Sequence, residues 1–226
     1  SKVFIMKKLL AILCFGMFAM GSANAEYSIG LSGNAGFLDA TGKETINGGI
    51  KQGDTGSEKS DELGIGYVSA FAEYHINDSF RVGVSYVPYG LESDTTENIR
   101  TDNCSHGATC TSTTNKVSVD LEDLTTWYVS YHKDMFFVKA GTINGDLITN
   151  DSLVTGSKYG DATLEGAFVG VGVDRDLSND VFIRVEGSFT KYENIKLNST
   201  GSDNTNTITV SDMDGANVSL SLGKTF

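Results

Sequence analysis

An eight-stranded antiparallel up-and-down β-barrel that crosses a membrane is the all-β fold that this sequence predicts. Three observations support it. Eight segments of the chain alternate apolar and polar residues with the two-residue period of a β-strand. Short turns and long polar segments alternate strictly between these strands. The last segment, residues 213–226, has an apolar face, a small polar face and an aromatic final residue, Phe226.

The N-terminal residues carry the features of a secretory signal peptide. Residues 6–8 are Met-Lys-Lys, residues 9–20 are an apolar run, and residues 23–25, Ala-Asn-Ala, form a small-x-small cleavage site. The apolar run is too short to cross a bilayer as a helix. Residues 1–25 are therefore predicted to be upstream residues and a cleavable signal peptide, and residues 26–226 to be the barrel domain.

Short and long connections separate the predicted strands in turn. The strands are residues 27–37, 68–76, 80–87, 125–132, 136–142, 167–174, 181–190 and 213–226. Short polar turns lie at 77–79, 133–134 and 175–180. Long polar segments lie at about 39–63, 89–115, 144–164 and 191–212. With both ends of the mature chain in the periplasm, the three short turns are periplasmic and the four long loops are extracellular.

One face of each predicted strand is apolar enough to meet lipid. Aromatic residues on these faces are expected to form girdles at the two headgroup levels. The periplasmic girdle comprises Tyr27, Tyr74, Phe80, Tyr131, Phe136 and Phe226, and the outer girdle comprises Phe37, Tyr86 and Phe189. In the sixth strand Val171 faces lipid and Gly172 faces the lumen. Val171→Arg is therefore expected to cost on the order of 2–4 kcal/mol, and Gly172→Ser much less.

Two residues interrupt the regular pattern. Pro88, the only proline, marks a place where strand pairing should loosen, because proline has no amide hydrogen. Asp123 falls on the outward face of the fourth strand, where an acid at mid-bilayer depth would be costly. Either a bulge near Asp123 shifts the phase, or the strand projects above the membrane. The regular alternation of residues 117–121 favours the projecting strand.

The layout and the closing strand resemble the small eight-stranded barrels of the OmpA/OmpX/Opa-like superfamily. The resemblance covers the whole mature chain as architecture and rests on general motifs. In that family the C-terminal aromatic residue belongs to the signal read by the barrel-assembly machinery, which here implies Leu220, Leu222 and Phe226. The resemblance also implies the outer membrane of a Gram-negative bacterium, with membrane lipid and lipopolysaccharide as partners.

The charge and the cysteine content limit which other partners and ligands the protein could bind. Without residues 1–25, Lys+Arg falls from 17 to 14 against 29 Asp+Glu, so the net charge is −15. Such a surface disfavours nucleic acid as a partner, because phosphate binding needs clustered Lys and Arg. Cys104 and Cys110 are predicted to form a disulfide in the oxidising exterior. A metal site with His106 is the weaker alternative, because no fourth ligand lies nearby, and no cofactor is expected.

The inward faces of the predicted strands carry three acids and three bases. They are Glu73, Arg81, Lys139, Asp174, Arg184 and Glu186. Eight strands enclose an interior that side chains can fill, so these charges are expected to pair across the lumen. The pairs either plug the barrel or, as the resemblance implies, form a gate over a narrow conductance.

The predicted function is a non-enzymatic barrel that anchors exposed loops for surface structure or recognition, with an unidentified extracellular ligand. A narrow porin-like channel gated by the lumen ion pairs is the alternative, and a lipid-modifying enzyme is the third possibility. His75 and His132 are placed at periplasmic strand ends and His106 within a loop. None of them lies on an outer strand end beside a nucleophile and a carboxylate, which disfavours the enzyme. The acidic loops leave divalent-cation binding open.

Overall fold

The computed structural model describes residues 26–46, 58–92, 96–101, 112–152, 158–200 and 206–226. Twelve strands lie within them. They are β1 (Tyr27–Ile46), β2 (Glu58–His75), β3 (Phe80–Tyr86), β4 (Leu91–Glu92), β5 (Thr96–Thr101), β6 (Ser112–Lys133), β7 (Phe136–Ser152), β8 (Lys158–Tyr159), β9 (Ala162–Asp176), β10 (Val181–Tyr192), β11 (Ile195–Thr200) and β12 (Asn206–Thr225). None of the described residues forms a helix that is long and apolar enough to span a membrane.

Eight of these strands close into a barrel. They pair in the order β1, β2, β3, β6, β7, β9, β10 and β12, and β12 pairs back with β1. All of these pairings are antiparallel. The four short strands extend the wall, because β4 and β5 pair with β6, β11 pairs with β12, and β8 pairs with β11. The predicted eight-stranded antiparallel barrel is confirmed.

The two ends of the barrel differ. The short turns at 76–79, 134–135 and 177–180 lie at one end, together with Glu26 and Phe226. We call it the turn end, and the opposite end the extended end. β6 has 22 residues and β1 and β12 have 20 each, about twice the 9–11 residues that cross a bilayer. The strands therefore continue as hairpins into the segments predicted as long loops, whose connecting residues 47–57, 102–111, 153–157 and 201–205 lie outside the described residues.

An apolar belt surrounds the barrel at middle depth. Its exposed outward side chains include Ile29, Leu31, Phe37, Val68, Trp127, Val129, Val138, Val169, Val171, Val185, Phe189, Val218, Leu220 and Leu222. An apolar surface of this extent is unfavourable in water and favourable in lipid. At the turn end the rings of Tyr27 and Phe226 stack with their centroids 5.2 Å apart. Leu220, Leu222 and Phe226 thus lie on the lipid-facing side.

The wall is irregular at Asp123. The register between β6 and β7 shifts between Glu122 and Thr125, and Asp123 has a φ of 54°. This left-handed conformation is uncommon outside glycine and here accompanies a β-bulge. The bulge and a long strand beyond it are both present, whereas the sequence favoured the projecting strand alone.

The outward face of β3 differs from the prediction. Val84 and Tyr86 have the lipid-facing phase, yet only 4% and 2% of their surfaces are exposed. Val84 lies in an outward groove that Tyr74 and Trp127 also line. The Tyr86 hydroxyl donates a hydrogen bond of 2.8 Å to Asp123 Oδ1 at the bulge. Tyr86 is therefore tied to the wall, and its expected place in an outer girdle is wrong.

Glycines inside the barrel make room for aromatic rings on adjacent strands. Five such pairs are directly opposite each other in the register: Gly30 with Phe71, Gly83 with Tyr128, Gly172 with Phe137, Gly141 with Phe168, and Gly223 with Phe182. A Cβ added at Gly172 would lie 2.5 Å from the Phe137 ring. The expectation that Gly172→Ser is mild is therefore wrong, because the lumen at this depth is packed.

Candidate functional site

Arg184 is the centre of a polar cluster in the lumen near the turn end. Its Nη1 and Nη2 donate to the two carboxylate oxygens of Glu73 at 2.6 and 3.0 Å. Its Nε and Nη2 donate to the carboxylate of Asp174 at 2.6 and 3.2 Å. Arg184 and Glu73 are each 2% exposed. A planar guanidinium can bind two carboxylates in this way, and its pairing offsets the cost of burying the charges.

Three more polar groups complete this cluster. Arg81 Nη1 lies 3.5 Å from Glu73 and 3.5 Å from Asp174. The Tyr128 hydroxyl donates to Glu73 at 2.9 Å, and His132 Nδ1 lies 3.2 Å from Asp174. We call the cluster of Glu73, Arg81, Asp174 and Arg184 the ion-pair plug.

The remaining two predicted lumen charges form a separate pair. Lys139 Nζ donates to Glu186 Oε2 at 2.5 Å, and the ammonium lies 4.2 Å from the centroid of the Tyr128 ring. Tyr128 also donates to Glu73 and so links this pair to the plug. The structure thus brings all six predicted lumen charges into two adjoining groups.

Aromatic rings pack around the plug and fill the space that the charges leave. The guanidinium carbon of Arg184 lies 5.4, 5.0 and 5.2 Å from the ring centroids of Phe71, Phe137 and Phe182. Each of these rings is at most 5% exposed. The lumen near the turn end is therefore filled by side chains, as expected for eight strands.

The lumen towards the extended end is apolar, which the sequence analysis missed. One cluster consists of Val87, Leu91, Leu124 and Ile143, with Ile65, Tyr67, Leu121 and Tyr192 packed against it. A second consists of Leu164, Ile195 and Met213. Several of these residues lie in segments that were predicted as loops. Their apolar alternation is short and polar residues surround it, so those segments were not recognised as strands. The alternation itself was the signal that could have identified their inward-facing positions.

A cavity of about 120 Å³ lies between this apolar region and the ion pairs. Its apolar lining includes Leu91, Leu124 and Ile143, and its polar lining includes Asn34 and Asn217. We call it the upper cavity.

The barrel wall is interrupted beside the upper cavity. The ladder between β2 and β3 ends at the pair Ala70–Tyr86, and residues 58–69 of β2 pair with β1 alone among the described strands. Pro88 lies just beyond this point and cannot donate a ladder hydrogen bond. This loosening at Pro88 was predicted. We call the line between residues 64–68 and residues 87–91 the seam.

Tyr89 crosses the seam. Its hydroxyl accepts a hydrogen bond of 2.6 Å from the backbone N–H of Val68, in place of a strand partner. Val68 pairs with Gly33, which lies between the lipid-facing residues Leu31 and Phe37 of β1. The seam therefore begins within the apolar belt, where an unsatisfied N–H would be costly.

Known proteins resemble this chain in structure more than in sequence. No family model matches the chain, and no curated protein is significantly similar to it. The outer membrane protein OprG from Pseudomonas aeruginosa superposes with a TM-score of 0.50 at 13% identity, over 89% of this chain and 95% of OprG. This is the fold of the small outer-membrane β-barrels.

Two other outer-membrane proteins are more distant. Ail, the attachment invasion locus protein of Yersinia pestis, has a TM-score of 0.40 at 11% identity, over 86% of this chain and 98% of Ail. The outer membrane protease OmpT from Escherichia coli has a TM-score of 0.42 at 11% identity, over 91% and 98%. The barrel fold and the apolar belt confirm the predicted location in the outer membrane.

At the turn end, each of two histidines lies between a serine hydroxyl and a carboxylate. His132 Nε2 is 2.9 Å from Ser130 Oγ, and its Nδ1 faces Asp174. His75 Nε2 is 2.9 Å from Ser28 Oγ, and its Nδ1 is 3.5 Å from Glu26. Both distances at His132 lie within the hydrogen-bond range of a catalytic triad, whereas the separation of His75 from Glu26 is longer. However, Ser130 is 1% exposed and Ser28 is 0% exposed, so a substrate does not reach either hydroxyl in this conformation.

The other predicted site residues stay predictions. Cys104, His106 and Cys110, together with the signal peptide in residues 1–25, lie outside the described residues. Within the part of the chain that the structure describes, no group of three or more His, Cys, Asp or Glu side chains could hold a metal ion.

Proposed function

We propose that the barrel takes up small apolar molecules from the cell exterior into the upper cavity and releases them sideways, through the seam, into the outer leaflet. The observation that carries the proposal is the position of the seam. Apolar lumen residues lie on both of its sides, Ile65 and Tyr67 on β2 and Val87 and Leu91 opposite. The outward-facing residues of β2 along it are Gly64, Gly66 and Val68, which leave little bulk in the path.

The ion-pair plug supports sideways rather than axial release. An apolar molecule that moved on towards the turn end would have to separate Arg184 from Glu73 and Asp174 without replacing their hydrogen bonds. Leaving buried charges unpaired is costly, whereas moving from the upper cavity into lipid exchanges one apolar environment for another. The proposed function is transport without catalysis, in keeping with the buried positions of Ser28 and Ser130.

In this proposal the extended end faces the cell exterior. Protease added to intact cells should therefore cut only within residues 39–63, 89–115, 144–164 or 191–212. Cleavage from outside at 77–78 or 133–134 would reverse the orientation and contradict the proposal.

The uptake of toluene by cells that express the protein tests the proposed function. Leu124 is 5% exposed and belongs to the apolar wall of the upper cavity. Leu124→Gln therefore puts an amide without a hydrogen-bond partner into that wall. We expect this variant to slow uptake severalfold. Leu177→Gln is the matched control, because Leu177 is 49% exposed at the turn end. Equal uptake by both variants and the wild type would contradict the proposal.

A second function, surface recognition, is supported by the length of the strands. The pairing of β1 with β2 continues from Tyr27–Tyr74 to Lys43–Glu58, well beyond the apolar belt that ends near Phe37. Paired hairpins of this length hold loops away from the membrane, where loops commonly bind partners. Shortening the β1–β2 hairpin should reduce attachment of cells to a host-cell layer while leaving toluene uptake unchanged. Unchanged attachment would contradict this second proposal.

A further inference from the structure

The upper cavity is not uniformly apolar. Leu91, Leu124 and Ile143 line it on one side. The amides of Asn34 and Asn217 also line it, and the ion pair between Lys139 and Glu186 borders it towards the plug. A ligand in this cavity therefore contacts an apolar wall and uncharged amides at the same time.

The volume of the cavity limits the size of its ligand. An engineered apolar protein cavity of about 150 Å³ holds one benzene molecule. The upper cavity, at about 120 Å³, is of similar size. It therefore suits a molecule with about the volume of a single six-membered ring, with small adjustments of the surrounding side chains.

The hydrogen bonds of Asn34 fix the orientation of both amides. Its Nδ2 lies 3.1 Å from the carbonyl oxygen of Ser32 and 3.5 Å from that of Tyr67, so only a nitrogen fits there. Asn34 Oδ1 consequently points the other way and accepts a hydrogen bond of 3.2 Å from Asn217 Nδ2. Asn217 Oδ1 therefore points away from Asn34. This oxygen is buried and has no hydrogen-bond partner among the described residues.

An unpartnered acceptor favours a ligand that donates a hydrogen bond. Because Asn217 Oδ1 has almost no accessible surface, its side chain must rotate towards the cavity when such a ligand binds. A charged ligand is disfavoured, because Lys139 and Glu186 already neutralise each other. We propose that the ligand of the upper cavity is a neutral molecule of about benzene size with one hydrogen-bond donor, and that Asn217 selects it by accepting that hydrogen bond. The inference rests on the proposed function and names the class of molecule that the same cavity takes.

Phenol, toluene and anisole separate the effect of a donor from those of size and polarity. Phenol and toluene have the same number of heavy atoms, and anisole has an oxygen but no donor. The full-length protein in lipid nanodiscs is titrated with each, and binding is followed by the methyl NMR shifts of Leu124 and Ile143. Affinities are referred to the ligand concentration in the lipid phase. We expect phenol to bind roughly two- to tenfold more tightly than either of the others, the range for one net hydrogen bond.

Asn217→Leu removes the acceptor at nearly constant volume and should abolish the preference for phenol while keeping toluene affinity. Asn198→Leu is the matched control, because Asn198 is exposed on β11 away from the cavity, and it should keep the preference. Equal affinity of the wild type for the three compounds, or a preference that survives Asn217→Leu, would overturn the inference and leave the proposed function standing. No binding of any compound would overturn both. If Asn217→Leu does not fold, the wild-type comparison still decides.

Discussion

Replacing Arg184 with alanine is the most direct perturbation of the ion-pair plug. The guanidinium makes two hydrogen bonds to Glu73 and two to Asp174, and only 2% of the residue is exposed. The substitution leaves two carboxylates close together beside three phenylalanine rings, with Arg81, 3.5 Å from each, as the arginine of the plug that still pairs with them. Removing one partner of a buried ion pair costs about 3–5 kcal/mol. We expect Arg184→Ala to lower the free energy of unfolding by about this amount and to draw water and cations into the space.

Two measurements on the protein in lipid vesicles test this expectation. Urea unfolding reports the stability, and single-channel recording reports the conductance. We expect a closed wild type and a cation-selective conductance in Arg184→Ala, because the freed carboxylates attract cations. Arg175→Ala, at an exposed position of β9, is the control that should change neither quantity. An Arg184→Ala variant that is closed and within about 1 kcal/mol of the wild type would refute the assignment of a plug.

Removing all four charges of the plug distinguishes unpaired charge from lost packing. The combined variant Arg184→Met, Arg81→Met, Glu73→Gln and Asp174→Asn leaves none of the plug's charges without a partner. It should recover most of the stability that Arg184→Ala loses, because uncharged groups of similar volume are often tolerated where a buried pair is removed as a whole.

Three further predictions follow from the packing. Gly172→Ser should lower the free energy of unfolding by about 1–3 kcal/mol, because its Cβ would overlap an aromatic ring. Gly187→Ser should be neutral, because its Cβ meets open space. Equal effects of the two variants in urea unfolding would contradict the packing of the Phe137 ring against Gly172. Tyr89→Phe removes the hydrogen bond that the Val68 N–H donates across the seam, and it should therefore speed toluene uptake roughly two- to tenfold. An unchanged or slower rate would contradict the idea that this hydrogen bond restricts passage through the seam. A fluorophosphonate should not label the folded protein, because the Ser130 hydroxyl is buried, and labelling that Ser130→Ala abolishes would contradict this.

The architecture and the grouping of the lumen charges follow from local sequence patterns. A two-residue period fixes which side chains share a face, so the inward phase of Glu73 and Arg184 could be assigned without knowing the register. Counting residues from the short turns then gave their similar depths. Opposite charges at one depth in a narrow lumen must pair, and the predicted residues therefore meet.

The packing and the seam depend on which residues of different strands lie opposite each other, and a single sequence does not contain this information. Gly172 appears tolerant until the register places it against Phe137. The inward phase of Ile65 and Leu164 was hidden because polar hairpin residues surround them. The seam arises because β3 ends at Tyr86 while β2 continues to Glu58, and the difference is visible only when both strands are paired.

The path of a small apolar molecule through the barrel distinguishes release through the seam from axial passage. Phenyl azide can be photoactivated while the protein is in a bilayer, and the labelled residues can be located by mass spectrometry. We expect the labelled lumen residues to lie towards the extended end and along the seam, at Tyr67, Val87 and Leu124. Labels on Phe137 and Phe182 around the ion-pair plug would show axial passage and would contradict release through the seam.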